Sequence, residues 1–356
     1  MTDPSPELAR RPLWRRAIKP ALVLVALALV FGWILPQFID YDEVWDALTQ
    51  LGGWEVLVLV GLGLARVPSE ALMYRAFLPG LRLWRGSEAY LSSNLASQLL
   101  PPPSASIVQF GYFRGAGYEP DAAGLAAFGS FVFPTIGRFV LPIVALALLL
   151  ATGEVTGTVW LAGGLAIAIS GVAGTACYLL LRSERSANRL GSMLQQPLSR
   201  VLVRFKREPI EDGAGKAVEL RARALTILRE GWALGTIGVA ANLALTYAIL
   251  LASLRFVGVT SSELSASAAF AAFAIAFWAG AVFPITGSGL GVVDAVLIAM
   301  LVELGSASDD SLVAAVLLWR VFYSVLILPL GAITLGRFRK TPANTVEPGM
   351  SEAPTA

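Results

Sequence analysis

The sequence predicts an all-α integral membrane protein of about six transmembrane helices plus two re-entrant helical hairpins arranged as an inverted repeat. Three observations carry that expectation. Of the 356 residues 56% are hydrophobic, with a mean hydropathy of +0.68, and several apolar runs approach the ~20 residues that cross a ~30 Å hydrocarbon core. Two of these runs are broken alike, at Leu100-Pro101-Pro102-Pro103-Ser104 and at Phe283-Pro284-Ile285-Thr286-Gly287-Ser288-Gly289. A lone arginine follows each break inside a later apolar segment, Arg138 lying 37 residues after Pro101 and Arg320 lying 36 after Pro284. The second break is therefore a copy of the first offset by 183 residues, with the arginines offset by 182.

Taken in chain order, residues 1–19 form a basic tail with Arg10, Arg11, Arg15, Arg16 and Lys19 and no evident cleavable signal. Residues 20–336 form the membrane domain. Its spans fall at about 20–39, 54–77, 122–150, 157–181, 231–258 and 311–336, with hairpins at about 87–115 and 263–304. A cytoplasmic loop over 182–230 repeats Leu190, Met193, Leu194, Leu198, Val201, Leu202 and Phe205 at helical spacing amid eleven basic and six acidic residues. It reads as an amphipathic helix on the inner leaflet. Residues 337–356 read as a disordered tail.

Loop charge fixes the expected orientation. One side holds the N-terminal arginines, Arg82, Arg85, Arg114, the 182–229 cluster, Arg337, Arg339 and Lys340; the other holds Asp40, Asp42, Glu43, Asp46, Glu154, Asp309 and Asp310. The positive-inside rule places both termini in the cytoplasm. A count in which each hairpin crosses once keeps the termini inside but moves Arg114 outside. With three crossings between them, the first hairpin enters from the cytoplasm and the second from outside. Inverted repeats whose broken helices meet near the midplane are the architecture of alternating access.

A single proline can be a plain kink, but three consecutive prolines cannot sit in a continuous helix, since each removes a donor and clashes with the preceding turn. At the second break Gly287, Gly289 and Gly291 add backbone freedom around Thr286 and Ser288. A half-helix starting near Ser288 or Gly289 would aim free N–H groups and a positive dipole end at the membrane interior, where they favour an anion such as phosphate. Intramembrane charges are rarely kept without a partner or a pathway. Arg138 and Arg320 thus read either as a clamp on a lipid phosphate or, for Arg320 with Asp294, as a structural ion pair. Asn94 and Gln98 share a helical face before the prolines and either line the cavity or join helices. Arg66 and Glu70, four apart around Pro68, are expected to pair locally in a structural or coupling role.

The run Phe283 to Asp294, continued by Gly305, Leu318, Arg320 and Gly331, resembles the signature of the lysylphosphatidylglycerol synthase transmembrane (flippase) family, and so does the stretch holding Asn94, Leu100, Pro101, Tyr112, Gly117 and Arg138. That resemblance implies a lipid-translocating fold with two re-entrant hairpins. From the breaks and the intramembrane charges, the substrate site is expected to draw on Pro101, Ser104, Ser106, Gln109, Pro284, Thr286, Gly287, Ser288, Gly289, Gly291 and Asp294 beside Asn94, Gln98, Arg138 and Arg320. The chain departs from relatives at Asp294, where Glu is usual, and at Ala105, Ser106 and Gln109, where a Gly-acid pair followed by Arg is usual. No soluble domain follows the tail that ends at Ala356, so a stand-alone member lacking the synthase domain is expected.

No histidine and a single cysteine, Cys177, leave neither imidazole nor an intrachain disulfide to the chain. No cofactor and no metal are expected. The function expected is a flippase that moves an anionic phospholipid or a phosphate-linked glycolipid between leaflets, and no enzyme activity. The alternatives are an integral enzyme modifying lipid headgroups and a scaffold for a cell-envelope synthase. Expected partners are the membrane lipid substrate and anionic inner-leaflet lipids, with a homodimer or an envelope-lipid synthase as candidate protein partners and no nucleic acid. A basic complement dominated by arginine, with abundant alanine and glycine, is that of a high-GC bacterium, which makes the expected location a bacterial cytoplasmic membrane.

Overall fold

The computed structural model describes residues 49, 51–99, 103–153, 157–204, 212–284, 289 and 291–338. The expected first span at 20–39, Pro101, Thr286, Gly287, Ser288 and both tails up to 48 and from 339 lie outside the described residues. Among those described every regular element is helical: α1 (Gly53–Arg75), α2 (Leu83–Leu99), α3 (Ser104–Gly115), α4 (Pro120–Thr152), α5 (Gly157–Arg182), α6 (Glu184–Arg204), α7 (Gly213–Glu230), α8 (Trp232–Phe256), α9 (Ala266–Val282), α10 (Val292–Leu304), α11 (Asp309–Arg320), a π-helical turn (Val321–Val325) and α12 (Leu328–Phe338).

Four helices are long and apolar enough to cross a membrane, over Gly53–Arg75, Pro120–Thr152, Trp232–Phe256 and Asp309–Gly336. Large apolar side chains such as Leu57, Ile143, Leu161 and Val172 stand exposed on α1, α4 and α5, as they do where lipid rather than water covers a helix. Local chemistry sets the helix ends. Glu55 accepts a 2.7 Å hydrogen bond from the Gly52 N–H at the start of α1. Pro120 opens α4 in a first turn that contains Asp121, and Gly153 closes it at φ +73°. Ser265 and Ser308 accept hydrogen bonds from the backbone N–H groups of Ala268 and Ser311.

Helices α2 and α3 pack on each other, as do α9 and α10. The 12–17 residues of each of these helices rise by about 18–25 Å, less than a full hydrocarbon core. Each pair is tied at its base. The Tyr112 hydroxyl donates to Glu88 at 2.7 Å in the first, and the Ser306 N–H donates to the Glu263 carbonyl at 2.9 Å in the second. In the turn before α9, Arg255 donates to the carbonyls of Val259 and Leu264. Hydrogen bonds from the Thr260 N–H and hydroxyl hold the Glu263 carboxyl below its ordinary pKa.

Packing between the two halves is reciprocal: α1 lies on α8, α2 on α12, and α9 on α4. Hydrophobic clusters form around each hairpin. One gathers Tyr74, Phe77, Leu91 and Phe113, and the other gathers Ile249, Phe273, Leu297 and Trp319.

Two features differ from the sequence expectation. The final span, expected to be one helix, changes register in the π-helical turn, where the Leu326 N–H bonds the Val321 carbonyl. There α1 comes so close that a Cβ on Gly63 would lie 2.7 Å from the Phe322 carbonyl oxygen. The 182–230 loop, expected to hold one amphipathic helix, forms two helices that pack as a pair. A Cβ on Gly191 would sit 2.2 Å from the Gly213 oxygen, so glycine is what lets them touch.

Candidate functional site

A cavity of about 140 Å³ lies between the two hydrophobic clusters, lined from α1, α2, α3, α4, α8, α9 and the π-helical turn. Its charged residues come from the centres of two spans. Arg66 and Glu70 stand on α1 and Arg138 on α4. Arg66, 3% exposed, donates to the Tyr323 carbonyl and, at 3.3 Å, to the Tyr90 hydroxyl. Its guanidinium carbon lies 4.1 Å from the centre of the Tyr323 ring. The expected local pairing with Glu70 is not formed. The Arg66 guanidinium is engaged instead by the Tyr323 carbonyl and the Tyr90 hydroxyl.

Glu70 has no hydrogen-bonded or ion-paired partner among the described residues; Arg66 and Arg138 are the cations acting on it. Arg138 rests over the Phe277 ring at 5.7 Å, with no hydrogen bond of its own to a described residue. The walls between these charges are amide and hydroxyl. Gln109 donates to the Tyr74 hydroxyl at 2.8 Å and the Ser93 hydroxyl at 3.0 Å, and accepts from Ser130. One buried amide thereby joins α1, α2, α3 and α4. Gln98, 4% exposed, donates to Asn94 Oδ1 at 3.3 Å while its own Oε1 is unmet. Asn242 of α8 donates to Ser69, which donates to the Arg66 carbonyl in turn.

The second arginine is placed elsewhere. Arg320, 2% exposed, directs Nε at 2.7 Å and Nη2 onto Asp294 Oδ1. The other oxygen of Asp294 accepts from the Gly291 N–H at 3.0 Å, the first free donor of α10. Asp294 therefore caps a helix and neutralises Arg320 together. Gly289 and Gly291 have φ of +71° and +87°, and a Cβ on Gly289 would meet Val293 at 2.5 Å.

An aromatic group separates the two arginine sites. Trp319 and Tyr323 stack at 4.8 Å, Phe277 meets both edge-on at 6.0 Å, and Arg320 lies 5.0 Å from the Trp319 ring.

Of the residues singled out from the sequence, the structure thus brings Arg138, Arg66, Glu70, Asn94, Gln98 and Gln109 to one cavity. It brings Arg320, Asp294, Gly289 and Gly291 to the tip of the second hairpin. Arg138 shares its cavity with Arg66 and not with Arg320. Ser104 closes the first hairpin by donating to the Ala96 carbonyl at 3.4 Å. Ser106 faces a separate apolar groove beside Ile107, Phe110 and Phe128, and Pro284 is exposed. Tyr74, Tyr90, Ser93, Ser130, Asn242 and Phe277 also line the cavity without standing out in the sequence. Asn242, a lone amide in an apolar run, carries the one sequence signal among them.

Against known proteins, the family model described as "Lysylphosphatidylglycerol synthase TM region" matches residues 19–331. No curated protein matches the chain.

Proposed function

We propose, on the premise that this chain belongs to the lysylphosphatidylglycerol synthase TM region family, that it is a lipid translocator of the bacterial cytoplasmic membrane. In this reading the headgroup of a phosphate-linked lipid passes through the polar cavity while its tails stay in the bilayer. The observation that carries it is the position of Arg138: a guanidinium at the middle of a 33-residue apolar span, open to a cavity and without a hydrogen-bonded partner among the described residues. A charge so deep is kept for a partner or a pathway, and the matching partner for an unpaired guanidinium is a phosphate oxygen pair.

The two helix pairs act as re-entrant hairpins, the first dipping from the cytoplasm and the second from outside, with both termini cytoplasmic. Reciprocal packing of α2 on α12 and of α9 on α4 supports an inverted repeat able to rock about the cavity. Transport would be passive or ion-coupled. A headgroup-modifying enzyme is less favoured. Asp294, a carboxylate that could do such chemistry, is engaged on both oxygens by Arg320 and the Gly291 N–H.

The test is a headgroup-accessibility assay. Purified protein in vesicles should move a fluorescent anionic phospholipid between leaflets, and Arg138→Ala should slow that movement by about tenfold or more, the loss of one charge-assisted contact. Mass analysis of the lipids after the assay checks for altered headgroups. Unchanged rates in the variant, or a changed headgroup, would overturn the reading.

A further inference from the structure

The α6–α7 pair carries a surface that the translocator reading leaves unused, and its role needs only that α5 end at a membrane face. A helix that lies in a leaflet turns its apolar side to the lipid. In α6 that side is already taken. Ala187 and Gly191 are buried together with Gly213 and Ala217 of α7, and a Cβ on Gly191 would strike the Gly213 oxygen. Residues two positions away from Ala187 or Gly191 stand about 200° around the helix from them. Those residues include Arg185, Arg189 and Met193, and all three are exposed, Met193 by 67%. The face that α6 offers outward is basic rather than apolar.

The guanidiniums of Arg185 and Arg189 have no partner among the described residues. The described acidic residues of the pair are kept off this face. Glu184 lies 3.5 Å from Arg221 of α7, Asp212 caps α7 by accepting from the Gly215 N–H at 2.7 Å, and Glu219 stands about 200° from the buried Ala217.

Proximity selects the partner. Arg182 ends α5, an apolar helix of 26 residues, and Arg221 ties α7 to that end by donating to the Leu181 carbonyl at 3.3 Å. Ala222 of α7 borders the same groove as Pro120, the first residue of the span α4. The pair is thus fastened to the ends of two spans. Helix α6 starts after the single residue Ser183, which brings Arg185 to the headgroup layer, about 5–8 Å thick. Arg189 follows about 6 Å further along the helix, inside a Debye length of about 8 Å. Cations at that range are drawn to anionic lipid, each arginine by about fivefold in partition. An acidic protein would match the same charges, but the leaflet is already within reach. We infer that α6 is an electrostatic docking surface for the anionic phospholipids of the leaflet at which α5 ends, held by Arg182, Arg185 and Arg189, with Met193 touching the headgroups and the helix not inserted.

The test uses the full chain in a Cys177→Ser background with a fluorophore on Met193→Cys. The protein is placed in vesicles of phosphatidylcholine alone, or of equimolar phosphatidylcholine and phosphatidylserine, each with the same trace of a lipid spin-labelled at the headgroup as quencher. Quenching should be about twofold or more stronger in the phosphatidylserine vesicles. It should fall to the phosphatidylcholine value at about 1 M salt, where the Debye length is about 3 Å. Arg185→Gln combined with Arg189→Gln should give the low value in both membranes, while thermal unfolding stays as in the parent because both side chains are exposed. The salt series in the parent decides the question even if the double variant does not fold. Equal quenching in the two membranes would overturn the inference. Strong, salt-insensitive quenching in both means that α6 is inserted by its apolar side; weak quenching in both means that the basic face points away from the bilayer and is open to an acidic protein.

Discussion

Arg320 and Asp294 enclose a charge pair in which the two members are not equally buried: the arginine side chain is 2% exposed and the aspartate 22%. The difference sets an order of mutational cost. Asp294→Ala strands a guanidinium whose Nη1 already lacks a partner among the described residues and removes the cap on the Gly291 N–H, so the loss should reach about 3–5 kcal/mol. Arg320→Met leaves a carboxylate that keeps its backbone donor and is itself partly exposed, and should cost less. Combining the two replaces a buried ion pair by apolar groups, and stability should recover most of the Asp294→Ala loss. Thermal unfolding in detergent, followed by tryptophan fluorescence, measures all three. An Arg320→Met variant as unstable as Asp294→Ala would refute the burial argument. Arg66 obeys the same logic. Its hydrogen bond to the Tyr323 carbonyl explains why an i, i+4 neighbour four residues along does not capture it.

That carbonyl belongs to an element whose cause lies in another part of the chain. The π-helical turn over Val321–Val325 is faced by Gly63, where any Cβ would strike the Phe322 oxygen at 2.7 Å and Leu326 Cδ2 at 2.8 Å. Gly63→Ala should therefore push α1 away from the turn and destabilise the fold by about 1–3 kcal/mol, whereas Gly61→Ala, with open space around it, should be neutral or slightly stabilising through helix propensity. Paired unfolding measurements compare them, and equal effects would dispose of the close-approach account. The contrast shows which elements the sequence discloses. The positions of the four long apolar helices and the helix ends before and near the proline breaks follow from hydropathy and from proline's missing donor, both local properties. The π-helical turn and the helix pair α6–α7 depend on Gly63 and on the Gly191–Gly213 contact, where two distant segments touch. The cavity is half legible for the same reason. Arg66, Glu70 and Arg138 stand out as charges in apolar spans, but Ser93 and Ser130 each donate to a carbonyl three residues back and look locally satisfied. Only the chain's folding shows that the Gln109 amide joins them.

Across the whole molecule the packing is reciprocal in part: α1 lies on α8 and α2 lies on α12 as α9 lies on α4, although α1 packs broadly on α2 while α8 only touches α9. A pseudo-two-fold axis has that property whether it runs along the membrane normal or within its plane. Side-chain charge distinguishes the two. Arg82, Arg85 and Arg114 flank the first hairpin, while Glu263, Asp309 and Asp310 flank the second with Arg255 as its one basic neighbour, and basic loops are retained on the cytoplasmic side. The proposed translocator has its axis in the plane, with the hairpins entering from opposite faces. Bonds at the hairpin bases, Tyr112 to Glu88 and Ser306 to Glu263, require the two ends of each hairpin to behave alike. In a Cys177→Ser background, single cysteines at Ser87 and Glu119 should react with an impermeant thiol reagent only after the membrane is opened. Cysteines at Ser262 and Ser306 should react in intact cells. If all four positions labelled from one side, the axis would run along the normal and alternating access by mirror-related hairpins would have no structural basis.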